Sequence, residues 1–253
     1  MNPQLIQKQP IVTAEKLLQY KQAHGHLGAF DPPKTVFVCY QRSTLSYILQ
    51  RHPQFQASPV THFFVDPESR SGILGDWGVG APGLAIKMEE LIALGVRRFV
   101  AVGTAGALMG SHPIGEIVLC PKALAEDGVA HHYLPDGERI ASADAELVAA
   151  WERFANGQAL AFHPHAPAWS FSALFRETVE DMLRVHRLGF SVVEMEAASL
   201  YAIAKEKGVQ ALSLFVISDS ITEESWTPKI KDPLMLENLH KLADAALAFC
   251  SSL

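Results

Sequence analysis

Short apolar runs alternate with amphipathic segments along most of the chain. Runs rich in β-branched and aromatic residues indicate strands, and apolar positions three or four residues apart indicate helices. The apolar runs predict strands at residues 35–40, 60–65, 97–102, 116–120 and 211–217. The helical spacing predicts helices at residues 43–51, 82–94, 144–154, 178–186, 197–207 and 232–250. This alternation predicts an α/β fold, with a central, mostly parallel or mixed sheet flanked by helices, in a single domain over residues 1–253.

Residues typical of helix ends refine two of these predictions. Pro82 suits the first turn of the helix at residues 82–94, and Gly95 suits its C-terminal stop. Ser43 is expected to cap the helix that begins there, because a serine hydroxyl can accept a hydrogen bond from a free amide of the first turn.

Open α/β sheets bind ligands beyond the carboxyl ends of their strands. This rule assigns a candidate site to three loops, at residues 103–110, 194–196 and 218–222. The first contains GTAG (residues 103–106), which predicts a tight turn. It lacks both the G-x-G-x-x-G spacing and a G-K-[ST] ending, so dinucleotide and ATP binding are unsupported. Its glycines let the backbone approach a ligand beside the Thr104 hydroxyl, or they form only a turn with a capping threonine.

Two glutamates, Glu194 and Glu196, flank Met195 where an apolar strand meets a helix. In an extended backbone both carboxylates face the same side, where they can accept hydrogen bonds from a sugar diol. The alternative is that they serve the helix, whose positive N-terminal end favours acidic residues. Only one of them is needed for that role.

The sequence Ser218–Asp219–Ser220 ends the most apolar predicted strand. Asp219 is either a turn or helix cap, the commonest use of aspartate at such a place, or a general acid at the mouth of a poorly solvated site. Spacing alone favours the cap.

Composition narrows the class of protein. The chain has 253 residues, of which 49% are hydrophobic and 19% are charged, and its net charge is −6. This charge, with no basic run, argues against nucleic-acid and anionic-membrane partners. Three isolated cysteines and the absence of a signal pattern lead us to expect a cytoplasmic protein. The histidines at residues 131–132 and 163–165 lack the spacing of catalytic zinc ligands, so no metal is expected.

Four stretches, taken together, resemble the nucleoside phosphorylase family, which includes bacterial purine nucleoside phosphorylase and uridine phosphorylase. They cover roughly residues 79–221 and read GVGAPGLAIKMEELIALGVRRFVAVGTAGAL, FSALF, VVEMEAASLYAIAKEKGVQAL and VISDSI. The resemblance implies a distorted mixed sheet and assembly into homo-oligomers, either dimers or hexamers. It also implies that phosphate attacks the sugar of a nucleoside and releases the base, with no cofactor besides phosphate as co-substrate.

The resemblance further implies roles for single residues. Glu196, with Met195 and Glu194 beside it, holds the sugar. Asp219 protonates or hydrogen-bonds the leaving base, a feature typical of the purine-acting branch. Other positions are expected to contact the base, at Phe175, Ala105, Gly106 and Ser218, and the phosphate, at Thr104 and Gly103. Arg42 is a further candidate for the phosphate, although it does not occupy the position of a family arginine.

The chain departs from the family at its phosphate-binding residues. The family arginine two residues before the glycine of the G-T-A-G sequence is Ala101 here, and CYQRST (residues 39–44) replaces the first phosphate loop, G-D-P-x-R. Arg42, or an arginine of a neighbouring subunit, is expected to replace the missing cation. Two alternatives remain open: a nucleosidase of the same family, in which water attacks, and a non-catalytic member that binds a nucleoside.

Overall fold

The computed structural model of the protein describes residues 10–28, 30–68 and 71–253. Its strands are β1 (Thr35–Cys39), β2 (Gln56–Ala57), β3 (Phe63–Val65), β4 (Ser71–Gly75), β5 (Arg98–Leu108), β6 (Ile117–Cys120), β7 (Lys122–Glu126), β8 (Ile140–Ser142), β9 (Ala168–Phe171), β10 (Val192–Glu194), β11 (Gln210–Ile221) and β12 (Trp226–Pro228). Its α-helices are α1 (Ala14–Ala23), α2 (Arg42–Arg51), α3 (Ala81–Leu94), α4 (Ala145–Gly157), α5 (Val179–Arg187), α6 (Ala197–Lys207) and α7 (Pro233–Ser252).

These strands form one mixed sheet, which confirms the predicted fold class. The strand order along its main path is β2-β3-β4-β1-β5-β10-β9-β7-β8. Strand β11 lies off this path and pairs with β5, β6 and β12. The pairs β1–β4, β1–β5, β5–β11, β9–β10 and β7–β9 are parallel. The pair β5–β10 is antiparallel, and so are the hairpin pairs at the edges.

Successive strand residues point to opposite faces of the sheet, so its apolar side chains lie on both faces. Helices cover both of them. Val36 and Val38 of β1 lie in the core that includes apolar side chains of α3 and α6. Phe37 and Cys39 lie in the core that includes side chains of α2, α4 and α7. None of the helices in the described part of the chain is long and apolar enough to span a bilayer.

Strand β5 changes neighbours halfway along one edge. β1 pairs with residues 98–102 of β5, and β10 pairs with Gly106 and Ala107. β11 pairs with the opposite edge of β5 over almost its whole length. Residues 103–105 therefore lie between the end of β1 and the end of β10, in a gap that we call the β5 opening.

The prediction of a tight turn at residues 103–106 is wrong. This segment continues β5, because β11 pairs with it throughout, from Gly103 opposite Phe215 to Gly106 opposite Asp219. Residues 218–221 are likewise the end of a strand, not a loop.

The chain instead reverses at Met109 and Gly110, where φ is 53° and 67°.

Helix ends follow the sequence signals in one case and depart from them in another. Pro82 lies in the first turn of α3, and Gly95 ends that helix with a left-handed φ of 112°, as predicted. Ser43 is not a cap, which corrects that prediction. Helix α2 begins earlier, with Gln41 at the N-cap position, and the Gln41 side chain makes no capping hydrogen bond.

Candidate active site

The candidate site surrounds the β5 opening. The start of α2 lies beside it, because Gln41 Nε2 donates a hydrogen bond of 2.9 Å to Thr104 Oγ1. The segment before α3 also borders it, because the ring of Trp77 contacts Tyr40 edge-to-face with 5.6 Å between centroids. The bend at residues 195–196 and the end of β11 complete its surroundings.

Gly103 provides space for an aromatic ring. A Cβ atom at this position would lie 2.9 Å from Tyr40 Cδ2, closer than side chains pack. Alternate residues of β5, Ala101 and Ala105, are also small and buried, and they share a core with Tyr40. This glycine therefore packs against Tyr40, and its predicted contact with phosphate stays a prediction.

Four buried polar atoms near the start of α2 have no hydrogen-bond partner within the described part of the chain. They are Tyr40 Oη, Gln41 Oε1, Thr44 Oγ1 and Trp77 Nε1. Buried polar atoms are nearly always satisfied in folded proteins, so such a group indicates a place for a polar ligand or water. The first turn of α2 adds backbone amides that no side chain caps. Tyr40 and Trp77 were not predicted as site residues, and no motif in the sequence distinguishes them.

Arg42 is the cation nearest in sequence to this group. It lies in the first turn of α2 with its side chain 81% exposed, and its Nε donates to Asp76 Oδ1 at 2.7 Å. The bond uses only Nε, so the terminal guanidinium nitrogens stay available to an anion. Asp76 has a left-handed φ of 65°, a conformation that aspartate tolerates better than most residues.

Glu194 is a buried acceptor for the helix that follows it. Its Oε2 accepts from the backbone amides of Glu196 at 2.8 Å and Ala197 at 2.7 Å, and its Oε1 accepts from Ser170 Oγ. These contacts use the free amides at the start of α6. Glu194 therefore has the structural role at the helix start that the sequence left open for one of the two glutamates.

Glu196 makes different contacts. It lies in a bend just before α6, and its Oε1 accepts from the backbone amide of Gly80, which has a φ of 96°. The backbone amide of Met195 also hydrogen-bonds this carboxylate. Burial and, to a smaller extent, the nearby charge of Glu194 raise the pKa of Glu196 to about 8. Burial also raises the pKa of Glu194, to about 7.

Asp219 follows a β-bulge in β11. The register shifts between Ile217 and Asp219, so Ser218 is the extra residue. Ser218 Oγ donates to Asp219 Oδ1 at 2.7 Å, and Trp226 Nε1 donates to Oδ2 at 2.8 Å. A Cβ atom at Gly106 would lie 2.9 Å from Oδ2, so this glycine makes room for the carboxylate.

The other predicted residues lie in different environments. Met195 is half-buried in the bend beside Glu196. Ala105 is buried in the β5 opening, with its carbonyl oxygen 3.4 Å from Ser218 Oγ. Phe175 lies in a short 3-10 turn with 96% of its surface exposed, so in this chain alone it does not cover the site.

Glu177, two residues after Phe175, was missed by sequence reasoning. Together with Leu108 and Ile221 it lines a cavity of about 50 Å³ at the ends of β5 and β11. Burial is the main cause that raises the pKa of Glu177 to about 7. No sequence signal marks it, because it directly precedes Thr178, the N-cap of α5, where acidic residues are common.

Within residues 10–28, 30–68 and 71–253, the structure contains no group of three or more histidine, cysteine or acidic side chains arranged to hold a metal ion. The ring centroids of His131 and His132 lie 3.8 Å apart, on a 3-10 turn away from the β5 opening.

The sequence matches the model of the phosphorylase superfamily over residues 69–248, and the chain belongs to this family. Its sequence is 34% identical to a DeoD-type purine nucleoside phosphorylase of Lactococcus lactis over 160 residues, which are 62% of this chain and 67% of that protein.

Two solved structures have the same fold. Purine nucleoside phosphorylase from Toxoplasma gondii, in complex with immucillin-H, aligns with a TM-score of 0.76 at 16% identity, over 88% of this chain and 92% of that one. A mutant of futalosine hydrolase from Helicobacter pylori aligns with a TM-score of 0.69 at 18% identity, over 87% of this chain and 100% of that one. The protein is therefore similar both to phosphorylases and to a hydrolase.

Proposed function

We propose that this protein is an enzyme that cleaves the N-glycosidic bond of purine nucleosides, with phosphate as the attacking group. The observation that carries the proposal is the placement of two carboxylates, Glu196 and Asp219, on either side of residues 103–106 of β5. Such a cleavage needs a group that holds the sugar, a group that contacts the departing base and a nucleophile.

The sugar is held by Glu196. Its Oε1 is fixed by the Gly80 amide, and the carboxyl oxygens keep lone pairs that can accept hydrogen bonds from ribose hydroxyls. Once this group is ionised, it also stabilises the positive charge that develops on the sugar in an oxocarbenium-like transition state. Met195, beside it, packs against the sugar ring.

The base lies against Gly106 and Asp219. Because Gly106 has no side chain, the Asp219 carboxylate sits directly over the strand, and an adjacent base can approach both. An aspartate at this position suits a purine, whose imidazole ring presents a nitrogen that hydrogen-bonds or takes up a proton as the base leaves.

Phosphate binds at the start of α2. Several groups there suit an anion. They are the uncapped amides of the first turn, the positive end of the helix dipole, the Thr104 hydroxyl and the terminal nitrogens of Arg42. The unpartnered Tyr40 Oη and Trp77 Nε1 supply two further donors.

A second candidate is a nucleosidase, in which water attacks the sugar. The observation in its favour is Ala101, which is fully buried where the family has an arginine, in the same core as Tyr40. Neutral donors such as the Tyr40 hydroxyl and the Trp77 indole suit water, which carries no charge to be balanced.

The test is base release from inosine, guanosine and adenosine, with uridine as the non-purine control, each with and without phosphate. The proposal expects purine release that needs phosphate and no release from uridine. Equal release without phosphate favours the nucleosidase. Binding of a purine nucleoside without any release shows that the chain is a non-catalytic member of the family.

A further inference from the structure

Trp226 donates a hydrogen bond to the carboxyl group of Asp219. Its indole Nε1 lies 2.8 Å from Asp219 Oδ2, and an indole can only donate. The same oxygen lies close to Gly106, where an added Cβ atom would be 2.9 Å away. Oδ2 is therefore held between the backbone of β5 and the indole ring, at the place where the proposed function puts the leaving base.

The hairpin formed by β11 and β12 brings the indole to this place. Trp226 pairs with Ile221, which lies two residues beyond Asp219 on β11. Residues two apart on a strand point to the same face, so Trp226 is a diagonal neighbour of Asp219 across the hairpin. A large aromatic side chain can span that separation. A backbone hydrogen bond of 2.9 Å from the Thr222 amide to the Ser225 carbonyl closes the turn.

Strand β12 buries none of its three side chains. Trp226, Thr227 and Pro228 are all exposed, and 59% of the Trp226 surface is accessible to solvent. A strand of this kind adds little apolar burial to the core, so core packing does not account for a tryptophan there. The hydrogen bond to Asp219 instead ties the hairpin to the candidate site.

Ser218 supplies the other donor to Asp219. Its Oγ donates to Asp219 Oδ1 at 2.7 Å from the adjacent, buried position of the same strand. Trp226, in contrast, reaches Oδ2 from the opposite strand of the hairpin. Loss of the indole N–H would leave the carboxyl group held at Oδ1 alone, free to turn Oδ2 away from Gly106. Small displacements of a group that contacts the reacting atoms can cost a large part of the rate.

We propose that Trp226 is a positioning residue for the departure of the base: its indole N–H holds Asp219 Oδ2 beside Gly106, where it meets a ring nitrogen of the leaving purine. This inference rests on the proposed function. Contact with the departing base belongs to Asp219, and Trp226 acts through it. Because the hydrogen bond is partly exposed to solvent, its loss should reduce kcat/KM by about 10-fold, at the low end for one hydrogen bond to an acidic group.

The test compares Trp226→Phe with Trp226→His in the cleavage of inosine at about pH 8. Both rings are smaller than the indole, but only histidine carries a ring nitrogen, Nε2, at the position of the indole Nε1. An imidazole, with an ordinary pKa of about 6.5, is mostly neutral at this pH and can donate from Nε2. Trp226→Phe should lose about 10-fold in kcat/KM with an unchanged KM for phosphate, and Trp226→His should recover most of that loss. Ile230→Ala shortens another exposed apolar side chain just after β12, and this control should match the wild type.

A double-mutant cycle separates the positioning of Asp219 from general support of the hairpin. Asp219→Ala removes the group that Trp226 positions, so adding Trp226→Phe to this variant should cause little further loss of kcat/KM. If Trp226 instead supported only the hairpin, the losses of the two single variants would multiply in the double variant.

Three results would each overturn the role of Trp226 while leaving the proposed function standing. They are full activity of Trp226→Phe, a loss that Trp226→His does not recover, and losses that multiply in the cycle. Failure of the wild type to cleave any nucleoside would overturn both. The melting temperature of each variant, measured in parallel, should stay near that of the wild type, because β12 buries no side chain. If Trp226→Phe has nevertheless lost its fold, Trp226→Leu takes its place in both comparisons.

Discussion

Glu194 and Glu196 lie two residues apart in the chain, yet they bind different parts of the molecule. Glu194 Oε2 accepts from the amides of Glu196 and Ala197 at the start of α6, whereas Glu196 reaches the Gly80 amide before α3. The bend at Met195 separates them, so that one serves the helix and the other faces the site. This division of roles can be tested by exchanging each carboxylate for an amide.

Glu196→Gln should reduce kcat/KM for a purine nucleoside by about 10-fold to 100-fold, the value of one hydrogen bond to a charged group. The amide can still accept from Gly80, but its nitrogen cannot accept a hydrogen bond from a ribose hydroxyl. Steady-state kinetics on inosine measures the loss. The melting temperature should stay near that of the wild type.

Glu194→Gln is the matched variant with the opposite expectation. Its amide nitrogen would face backbone donors or Ser170 Oγ and leave a buried group unsatisfied, at a cost of about 1–3 kcal/mol in the free energy of unfolding. Urea unfolding measures this cost. Should Glu194→Gln keep full stability while Glu196→Gln loses it, the two roles would be reversed.

Gly106→Ala should greatly reduce activity. The added Cβ would lie 2.9 Å from Asp219 Oδ2 and 3.2 Å from Val193 Cγ1, so the carboxylate must move. Gly157→Ala is the control, since a Cβ there meets nothing within 4 Å. That variant should keep its activity, and equal activity of the two variants would show that the Gly106 contact is unimportant.

Arg42→Ala should raise the KM for phosphate by about 10-fold to 100-fold if the start of α2 binds the anion, because a charge-assisted hydrogen bond is lost. Arg51→Ala, at the other end of the same helix, is the control and should leave that KM unchanged. Initial rates over a range of phosphate concentrations decide the matter. An unchanged KM in Arg42→Ala would exclude this arginine from the phosphate site.

Stability should fall as pH rises from about 5 to 8. The pKa of Glu196 is about 8 in the folded chain and near 4.5 when it is exposed, so the folded state binds more protons between these values. The protonated Glu196 therefore contributes its full amount to the free energy of unfolding below the pKa of the exposed group. This contribution is lost as pH rises toward the pKa of the folded state, by at most about 1.4 kcal/mol per pH unit for one proton.

Urea unfolding at several pH values measures this slope. Glu196→Gln, which binds no proton, should make the slope shallower. A slope that is unchanged in this variant would show that Glu196 does not hold its proton in the folded chain.

Much of the fold could be predicted from local pattern. Helix α3, between Pro82 and Gly95, begins within one residue of its predicted start, because its end signals and its apolar face agree. The prediction of a turn at residues 103–106 was wrong, because there the local signal and the long-range pairing disagree. The local preference of two glycines for a turn is overridden by β11, a partner more than a hundred residues away.

The site was predictable only where a motif marks its chemistry. Glu196 and Asp219 belong to such motifs; Glu196 follows β10, which pairs with Gly106, and Asp219 pairs with Gly106 from β11. Tyr40 and Trp77 belong to none, and their position beside the β5 opening depends on contacts between distant segments. The different roles of Glu194 and Glu196 also depend on such a contact, the one with Gly80.

The central claim is that phosphate attacks the sugar of a purine nucleoside. It is tested most directly by incubating the protein with inosine and phosphate in isotopically labelled water and identifying the sugar product by phosphorus NMR and mass spectrometry. If phosphate is the nucleophile, one pentose 1-phosphate forms for each base released, and the sugar carries no label. Free pentose carrying the label, formed equally well without phosphate, would contradict it.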